Sequence, residues 1–118
     1  MTTVLIVDDH AAFRSQARAL LEAEGFTVVG EAADGASGLE TARALRPDLV
    51  LLDVGLPDLE GFEVARRLAI SGPPPLVVLT SSRLASDYGR RLAGSRVLGF
   101  VPKDELSGAA IRALAGWA

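Results

Sequence analysis

The segment that decides the fold of this chain is residues 50–57, Val50-Leu51-Leu52-Asp53-Val54-Gly55-Leu56-Pro57. Its apolar run is typical of a buried strand, and Pro57 prevents the strand from continuing. A strand that is apolar on both faces belongs to a parallel sheet with helices on either side. Because ligands of such sheets bind beyond the carboxyl ends of the strands, we expect Asp53 at the functional edge of the fold.

The composition limits the classes of protein to which the 118 residues can belong. Hydrophobic residues make up 49%, enough for the core of a single domain, which we predict over residues 1–118. The chain has no cysteine, which excludes disulfides and thiolate metal sites, and its net charge of −3 argues against a nucleic-acid surface. It contains neither a signal peptide nor a run long enough to span a membrane. We therefore expect a cytoplasmic domain that binds neither DNA nor membranes directly.

Four further apolar runs predict strands at 4–7, 26–29, 76–79 and 97–101, and helical patterns alternate with the strands. Gly25 is expected to close the first helix, Asp34 to cap the second, and Pro47 to end it. The fourth helix is predicted at about 84–92 with Gly89 inside it. Since glycine costs a helix about 1 kcal/mol relative to alanine, this helix should be the least stable.

Five strands that alternate with helices predict parallel pairing and right-handed crossovers. The predicted fold is α/β, with a doubly wound five-stranded parallel sheet of order 2-1-3-4-5, the flavodoxin-like (βα)5 topology. Its switch point, between the first and third strands, brings Asp8 and Asp9 beside Asp53. Thr80 and Lys103 follow the fourth and fifth strands, so all five side chains are expected at one edge.

Three carboxylates at one edge would repel one another unless a cation compensates them. A pocket of oxygen ligands without histidine or cysteine favours a hard ion, and Mg²⁺ is the expected one. Lys103 and the Thr80 hydroxyl would bind oxygens of a phosphoryl group, and Asp53 is the candidate nucleophile. Taken singly, each of these residues is better explained by a structural role than by a role in such a site. Asp8 and Asp9 could cap a helix, and Lys103 could be a surface charge. His10 is expected to be structural or solvated.

Four segments together resemble the response-regulator receiver domains of two-component signalling. They are VLIVDDH at 4–10, LVLLDVGLP at 49–57, VVLTS at 77–81 and GFVPKDEL at 99–106. The first and last are most similar to the nitrate-regulator subfamily, whose members usually carry a LuxR-type helix-turn-helix. The resemblance covers the chain from the first strand to the last helix.

The resemblance implies that Asp53 is the phosphoacceptor of a phosphorelay and that the domain is a signalling module rather than an enzyme. Asp8 and Asp9 would form the acidic Mg²⁺ pocket, with Asp9 favoured as the direct ligand. The carbonyl of Gly55 would complete the protein ligands.

The resemblance also implies a switch and a set of partners. Thr80 would be the switch hydroxyl, Lys103 the phosphate-binding lysine and Phe100 the aromatic residue that reports the state. The donor would be a phosphohistidine on a sensor histidine kinase or phosphotransfer protein. The fourth helix, fifth strand and fifth helix would signal to a downstream protein or output domain, and phosphorylation could produce a homodimer.

The chain departs from the family pattern at three places. Receivers commonly have proline after the lysine, whereas here Pro102 precedes Lys103 and Asp104 follows it. Gly55 and Ser82 are small where side chains control access of the hydrolytic water. We expect either a stand-alone receiver or a receiver that is part of a longer regulator with a DNA-binding domain.

Three other functions share parts of this pattern. A flavodoxin-type carrier has the same topology, but Asp8 and Asp9 would repel a flavin phosphate. A phosphatase of the haloalkanoate dehalogenase type uses an Asp nucleophile but needs a second Asp where Gly55 stands. A phosphorylation-independent interaction module on the same fold remains open.

Overall fold

The computed structural model describes residues 2–70, 72–83 and 88–117 and contains five strands and five α-helices within them. The strands are β1 (Thr3–Val7), β2 (Thr27–Ala32), β3 (Leu49–Asp53), β4 (Leu76–Ser81) and β5 (Gly99–Pro102). The helices are α1 (Ala11–Ala23), α2 (Gly35–Leu45), α3 (Gly61–Ile70), α4 (Arg90–Ala93) and α5 (Gly108–Ala115), with a 3-10 turn at Lys103–Glu105. Among these described helices, none has both the length and the apolar character needed to cross a membrane.

The five strands form one parallel sheet of order β2-β1-β3-β4-β5. The predicted α/β fold and strand order are therefore confirmed. Alternate residues of β3 face opposite layers: Val50 and Leu52 pack in the cluster that includes residues of α2 and α3. Leu49 and Leu51 pack in the cluster that includes residues of α1 and α5. Because all four are completely buried, both faces of the strand must be apolar.

The loop from β3 to α3 is fixed at both of its ends. Gly61 donates a backbone hydrogen bond to the Val54 carbonyl oxygen over 2.8 Å, and a Cβ at Gly61 would lie 2.8 Å from Val54 Cα. Farther along the loop, the Asp58 carboxylate accepts hydrogen bonds from the amides of Gly35 (2.7 Å) and Ala36 (2.9 Å) at the start of α2. These bonds lower the pKa of Asp58 and place a negative charge at the helix N-terminus. The loop that follows Asp53 is thus held against two helices.

Several element boundaries differ from the predicted ones. Strand β2 extends to Ala32, three residues beyond its predicted end, because its pairing with β1 continues through Val7 and Ala32. Residues 84–87 of the predicted fourth helix lie outside the described residues. The position predicted for Gly89 was wrong: it precedes α4 with φ of 47°, a left-handed value that glycine adopts readily.

We predict that Gly61→Ala lowers the free energy of unfolding by about 2 kcal/mol, because the added methyl would overlap the backbone of β3. Gly55→Ala in the same loop is the matched control, since a Cβ there meets nothing within 4 Å. Its free energy of unfolding should change by less than about 0.5 kcal/mol. Urea denaturation of both variants tests this, and equal effects would contradict the packing argument.

Candidate functional site

The parallel register brings the carboxyl ends of four strands together. Asp53 lies opposite Thr80 across β3 and β4, and Val7 lies opposite Leu52, so Asp8 follows beside Asp53. An open cavity of about 460 Å³ lies at this edge. Its lining includes Asp53, Gly55, Ser82, Lys103, His10 and Tyr88.

Asp8 is held in place by contacts on three sides. Its Oδ1 accepts a hydrogen bond of 2.8 Å from the His10 amide, and its carbonyl oxygen accepts one of 2.6 Å from Arg14 Nη1. Its Oδ2 lies 2.7 Å from Lys103 Nζ. Since the Asp8 side chain is 1% exposed, this ammonium group compensates a buried charge.

Asp53 is 4% exposed and lies in an unfavourable environment for a carboxylate. Its Oδ2 is 3.7 Å from Lys103 Nζ, and its Oδ1 accepts a long hydrogen bond of 3.4 Å from the Gly55 amide. Burial raises the pKa of Asp53, and the negative charges of Asp8 and Asp9 raise it further, while Lys103 and the Gly55 amide act in the opposite direction. The single positive charge of Lys103 does not balance the three carboxylates, and a divalent cation would compensate the remaining negative charge.

Two buried oxygens at this edge lack hydrogen-bond partners among the described residues, Thr80 Oγ1 and Asp8 Oδ2. Asp8 Oδ2 forms an ion pair with the Lys103 ammonium group. The Thr80 hydroxyl is 0% exposed and has no ion-pair partner or hydrogen-bond partner among the described residues. A buried unsatisfied hydroxyl costs about 1–3 kcal/mol. The Thr80 hydroxyl is thus suited to donate to a ligand oxygen beside Asp53.

Lys103 reaches the site from the 3-10 turn after β5. Its side chain is 15% exposed, and Nζ lies 4.6 Å from the centre of the Phe13 ring, a cation–π contact. Among the described residues the one cis peptide bond joins Gly72 and Pro73, so the Lys103–Asp104 bond is trans. Lys103 therefore contacts both carboxylates from a loop without the proline that commonly follows this lysine.

His10 also lies at the site, which the sequence interpretation missed. Its side chain is 66% exposed, as expected for a solvated residue, but Nδ1 is 3.2 Å from Oδ1 of both Asp8 and Asp9. Donor atoms of Asp8, Asp9, His10 and Asp53 all lie within 4.8 Å of one another. We call these four residues the acidic pocket. The prediction of a pocket without histidine was wrong, because the turn after β1 brings the residue after Asp9 to the same place.

Tyr88 connects the end of β4 with Phe100, and no spacing in the sequence indicates this role. Its hydroxyl is 2.6 Å from Ser81 Oγ, and Ser81 directly follows Thr80. Its ring centre lies 5.6 Å from that of Phe100 and 5.7 Å from that of Phe62. Phe100 is half-buried in this row of aromatic rings. Tyr88 therefore links the end of β4 and Phe100 to the turn before α4.

The carboxylate of Glu60 and the guanidinium of Arg91 form a further link between the Asp53 loop and α4. Arg91 Nη1 lies 2.6 Å from Glu60 Oε2, and the Arg91 guanidinium also stacks 4.5 Å from the centre of the Phe62 ring. Both charged residues line the cavity that contains Asp53. The ion pair is exposed, so its contribution to stability is small, but it places α4 beside the site.

Comparison with known proteins gives a consistent result. The family model described as "Response regulator receiver domain" matches residues 4–114. The chain is 45% identical over 102 residues to BvgA of Bordetella pertussis, a transcription regulator of virulence factors, and 38% identical over 104 residues to the response regulator GacA of Pseudomonas viridiflava. These matches cover 86% and 87% of the chain, but 49% of each relative, so the chain spans about half their length.

Solved structures give the same result for the fold. The signal receiver domain of the response regulator NarL from Mycobacterium tuberculosis has a TM-score of 0.87 at 32% identity, covering 98% of this chain and 97% of that one. A LuxR-family response regulator from Aurantimonas has a TM-score of 0.86 at 28% identity, covering 99% and 88%. The similarity to the nitrate-regulator and LuxR group, predicted from the first and last segments, is confirmed.

We predict that Asp53→Asn raises the free energy of unfolding by about 1 kcal/mol near neutral pH in the presence of EDTA. Because the pKa of Asp53 is raised on folding, the folded protein holds this proton more tightly, and the residue destabilises the fold as the pH rises through the raised pKa. The difference between variant and wild type should therefore be largest above that pKa and shrink toward about pH 4.

Urea denaturation across this pH range measures the difference. Asp104→Asn is the control, because it removes an exposed carboxylate from a neighbouring loop and tests the change in net charge alone. A destabilised Asp53→Asn protein at neutral pH would contradict the electrostatic account.

Proposed function

The chain belongs to the response-regulator receiver family, and we propose that Asp53 accepts a phosphoryl group from a phosphohistidine of a sensor histidine kinase or phosphotransfer protein. An Asp53 carboxylate oxygen would attack phosphorus, and the phosphorus–nitrogen bond to the donor imidazole would break as the acyl phosphate forms. The observation that carries this proposal is the buried excess of carboxylate charge beside the Thr80 hydroxyl, which has no hydrogen-bond partner among the described residues.

The oxygen donors of the pocket suit a hard divalent ion. Asp8, Asp9, Asp53 and the carbonyl of Gly55 would hold Mg²⁺, an ion that prefers oxygen ligands and retains sites for phosphate oxygens. When bound, Mg²⁺ supplies the positive charge that neutralises these carboxylates and the transferring phosphoryl group. The raised pKa of Asp53, caused first by burial and then by Asp8, supports the need for this charge.

Two further side chains would bind the phosphoryl oxygens. Lys103 already lies 3.7 Å from Asp53 Oδ2, within reach of an oxygen attached there. The Thr80 hydroxyl, opposite Asp53 in the sheet register, would donate a hydrogen bond to a second oxygen. Both groups would act by binding and orienting, which is most of what phosphoryl transfer requires.

Phosphorylation would then change the packing around Phe100. Movement of Thr80 toward the phosphoryl group would open space for the Phe100 ring, and Tyr88 would move with both because it contacts Phe100 and Ser81. The signal would thus reach the surface formed by α4, β5 and α5. A near-complete switch requires that the phosphoryl group favour the active state over the inactive one by about 5.5 kcal/mol.

The similarities suggest the setting in which this switch acts. BvgA is a transcription regulator and the Aurantimonas protein is a LuxR-family regulator, so we propose a DNA-binding output domain or a separate downstream protein as the recipient of the signal. A homodimer that forms on phosphorylation would be one such output. We further propose that the domain acts in the cytoplasm, without direct contact with nucleic acid or membranes.

We predict that incubation with Mg²⁺ and acetyl phosphate, or with phosphoramidate, adds one phosphoryl group to the protein, as measured by intact mass. The reaction should fail in Asp53→Asn and in the presence of EDTA, and it should be slower in Lys103→Ala by about a hundredfold, the size expected for loss of one electrostatic contact at the transition state. Phosphorylation of Asp53→Asn would contradict the assignment of the acceptor.

The same samples distinguish the signalling function from a phosphorylation-independent interaction module. NMR spectra of the phosphorylated protein should show shifted signals for Phe100, Tyr88 and residues 90–93. Unchanged signals at these residues, in a protein that carries the phosphoryl group, would favour the interaction module.

A further inference from the structure

The acidic pocket contains an imidazole as well as carboxylates, and this makes it different from a pure oxygen site. His10 Nδ1 lies 3.2 Å from Asp8 Oδ1 and 3.2 Å from Asp9 Oδ1. When two donors bind one ion at about 2.1 Å each, they lie about 3.0–3.4 Å apart in octahedral or tetrahedral geometry. The imidazole nitrogen therefore already lies at ligand spacing from each of the two carboxylate oxygens.

The backbone keeps His10 at this position. Its amide donates to Asp8 Oδ1 over 2.8 Å, so the residue is tied to the same carboxylate that its ring contacts. His10 is also the N-cap residue of α1, in an extended conformation with φ of −91°. Because the His10 side chain is 66% exposed and that of Asp8 is 1% exposed, the ring would bind an ion from the solvent side and the Asp8 carboxylate would bind it from the protein side.

A cationic group already lies among these donor atoms. Lys103 Nζ is 3.4 Å from His10 Nδ1 and 2.7 Å from Asp8 Oδ2. Apart from this ammonium, Asp8 Oδ2 has no partner among the described residues, although the Asp8 side chain is 1% exposed. The same ammonium also lies 3.7 Å from Asp53 Oδ2, so one lysine serves two buried carboxylates. This shortage of positive charge is the second observation that indicates a cation site.

We propose that His10 is a ligand of the acidic pocket and that it makes the pocket bind imidazole-preferring divalent ions, such as Zn²⁺ and Co²⁺, more tightly than Mg²⁺. The proposal rests on the metal site of the proposed function and adds a selectivity to it. Carboxylate and carbonyl ligands suit Mg²⁺, whereas imidazole suits Zn²⁺ and the later transition metals.

The amino-acid composition leaves one possible source of a histidine ligand in this chain. The chain has one histidine and no cysteine, so any nitrogen ligand from a histidine must come from His10. Untagged protein is essential, since a polyhistidine tag would bind the same ions. His10→Asn keeps a polar side chain of similar reach and removes the imidazole.

The experiment measures the affinities of Zn²⁺ and Mg²⁺ by calorimetry for the wild type, His10→Asn and Asp53→Asn. We expect His10→Asn to weaken Zn²⁺ binding by at least about tenfold, since even partners that only orient a metal ligand contribute this much. Its Mg²⁺ affinity should change by less than about threefold, and a circular dichroism spectrum equal to that of the wild type would show that the variant is folded. In protein labelled with ¹⁵N at histidine, Zn²⁺ should shift the His10 Nδ1 resonance, whereas Mg²⁺ should leave it near its position in the free protein.

Two outcomes would overturn the proposal: unchanged Zn²⁺ affinity in His10→Asn, or equal losses for Zn²⁺ and Mg²⁺. Failure of the proposed function has a different signature. In that case the wild type would not bind Mg²⁺ at all, or Asp53→Asn would bind it as well as the wild type.

Discussion

Two buried carboxylates, those of Asp8 and Asp53, share a single ammonium group at the edge of the sheet. Lys103 Nζ is 2.7 Å from one and 3.7 Å from the other, and Asp9 adds a third negative charge nearby. Burial of unpaired charge is costly, so this arrangement persists only because the rest of the fold holds it. In the proposed function, the same arrangement would give the pocket its affinity for a divalent cation and would keep Asp53 ready to accept a phosphoryl group.

The scaffold produces this arrangement through strand order and register. Placing β1 beside β3 puts Asp8 next to Asp53, and pairing β3 with β4 sets Thr80 opposite Asp53. Apolar side chains on both faces of β1 and β3 fix that register, because a shift by one residue would alter every contact in both layers. Asp58 and Gly61 then hold the loop after Asp53 against α2 and the end of β3.

The sequence was sufficient to predict the features that follow from periodicity and strand ends. The apolar run at 50–57 and its counterparts predicted the fold and strand order, and hence the meeting of Asp8, Asp53, Thr80 and Lys103. His10 was misjudged because its exposure was predictable but the direction of its ring was not. The ring contacts of Tyr88 and the capping by Asp58 join segments distant in sequence, which no local pattern encodes. Gly89 was placed inside a helix because the sequence alone does not distinguish a glycine within a weak helix from a glycine in the turn before the helix.

The most direct test of the account is a crystal structure of the protein with Mg²⁺ and beryllofluoride, which mimics a phosphoryl group on aspartate. We expect beryllium on an Asp53 oxygen and Mg²⁺ bound by Asp53 and Asp9. We also expect Lys103 Nζ to leave Asp8 Oδ2, from which it now lies 2.7 Å, and to contact a fluoride. If Lys103 remained paired with Asp8 and the ion bound elsewhere, the shared-lysine explanation of the site would be wrong.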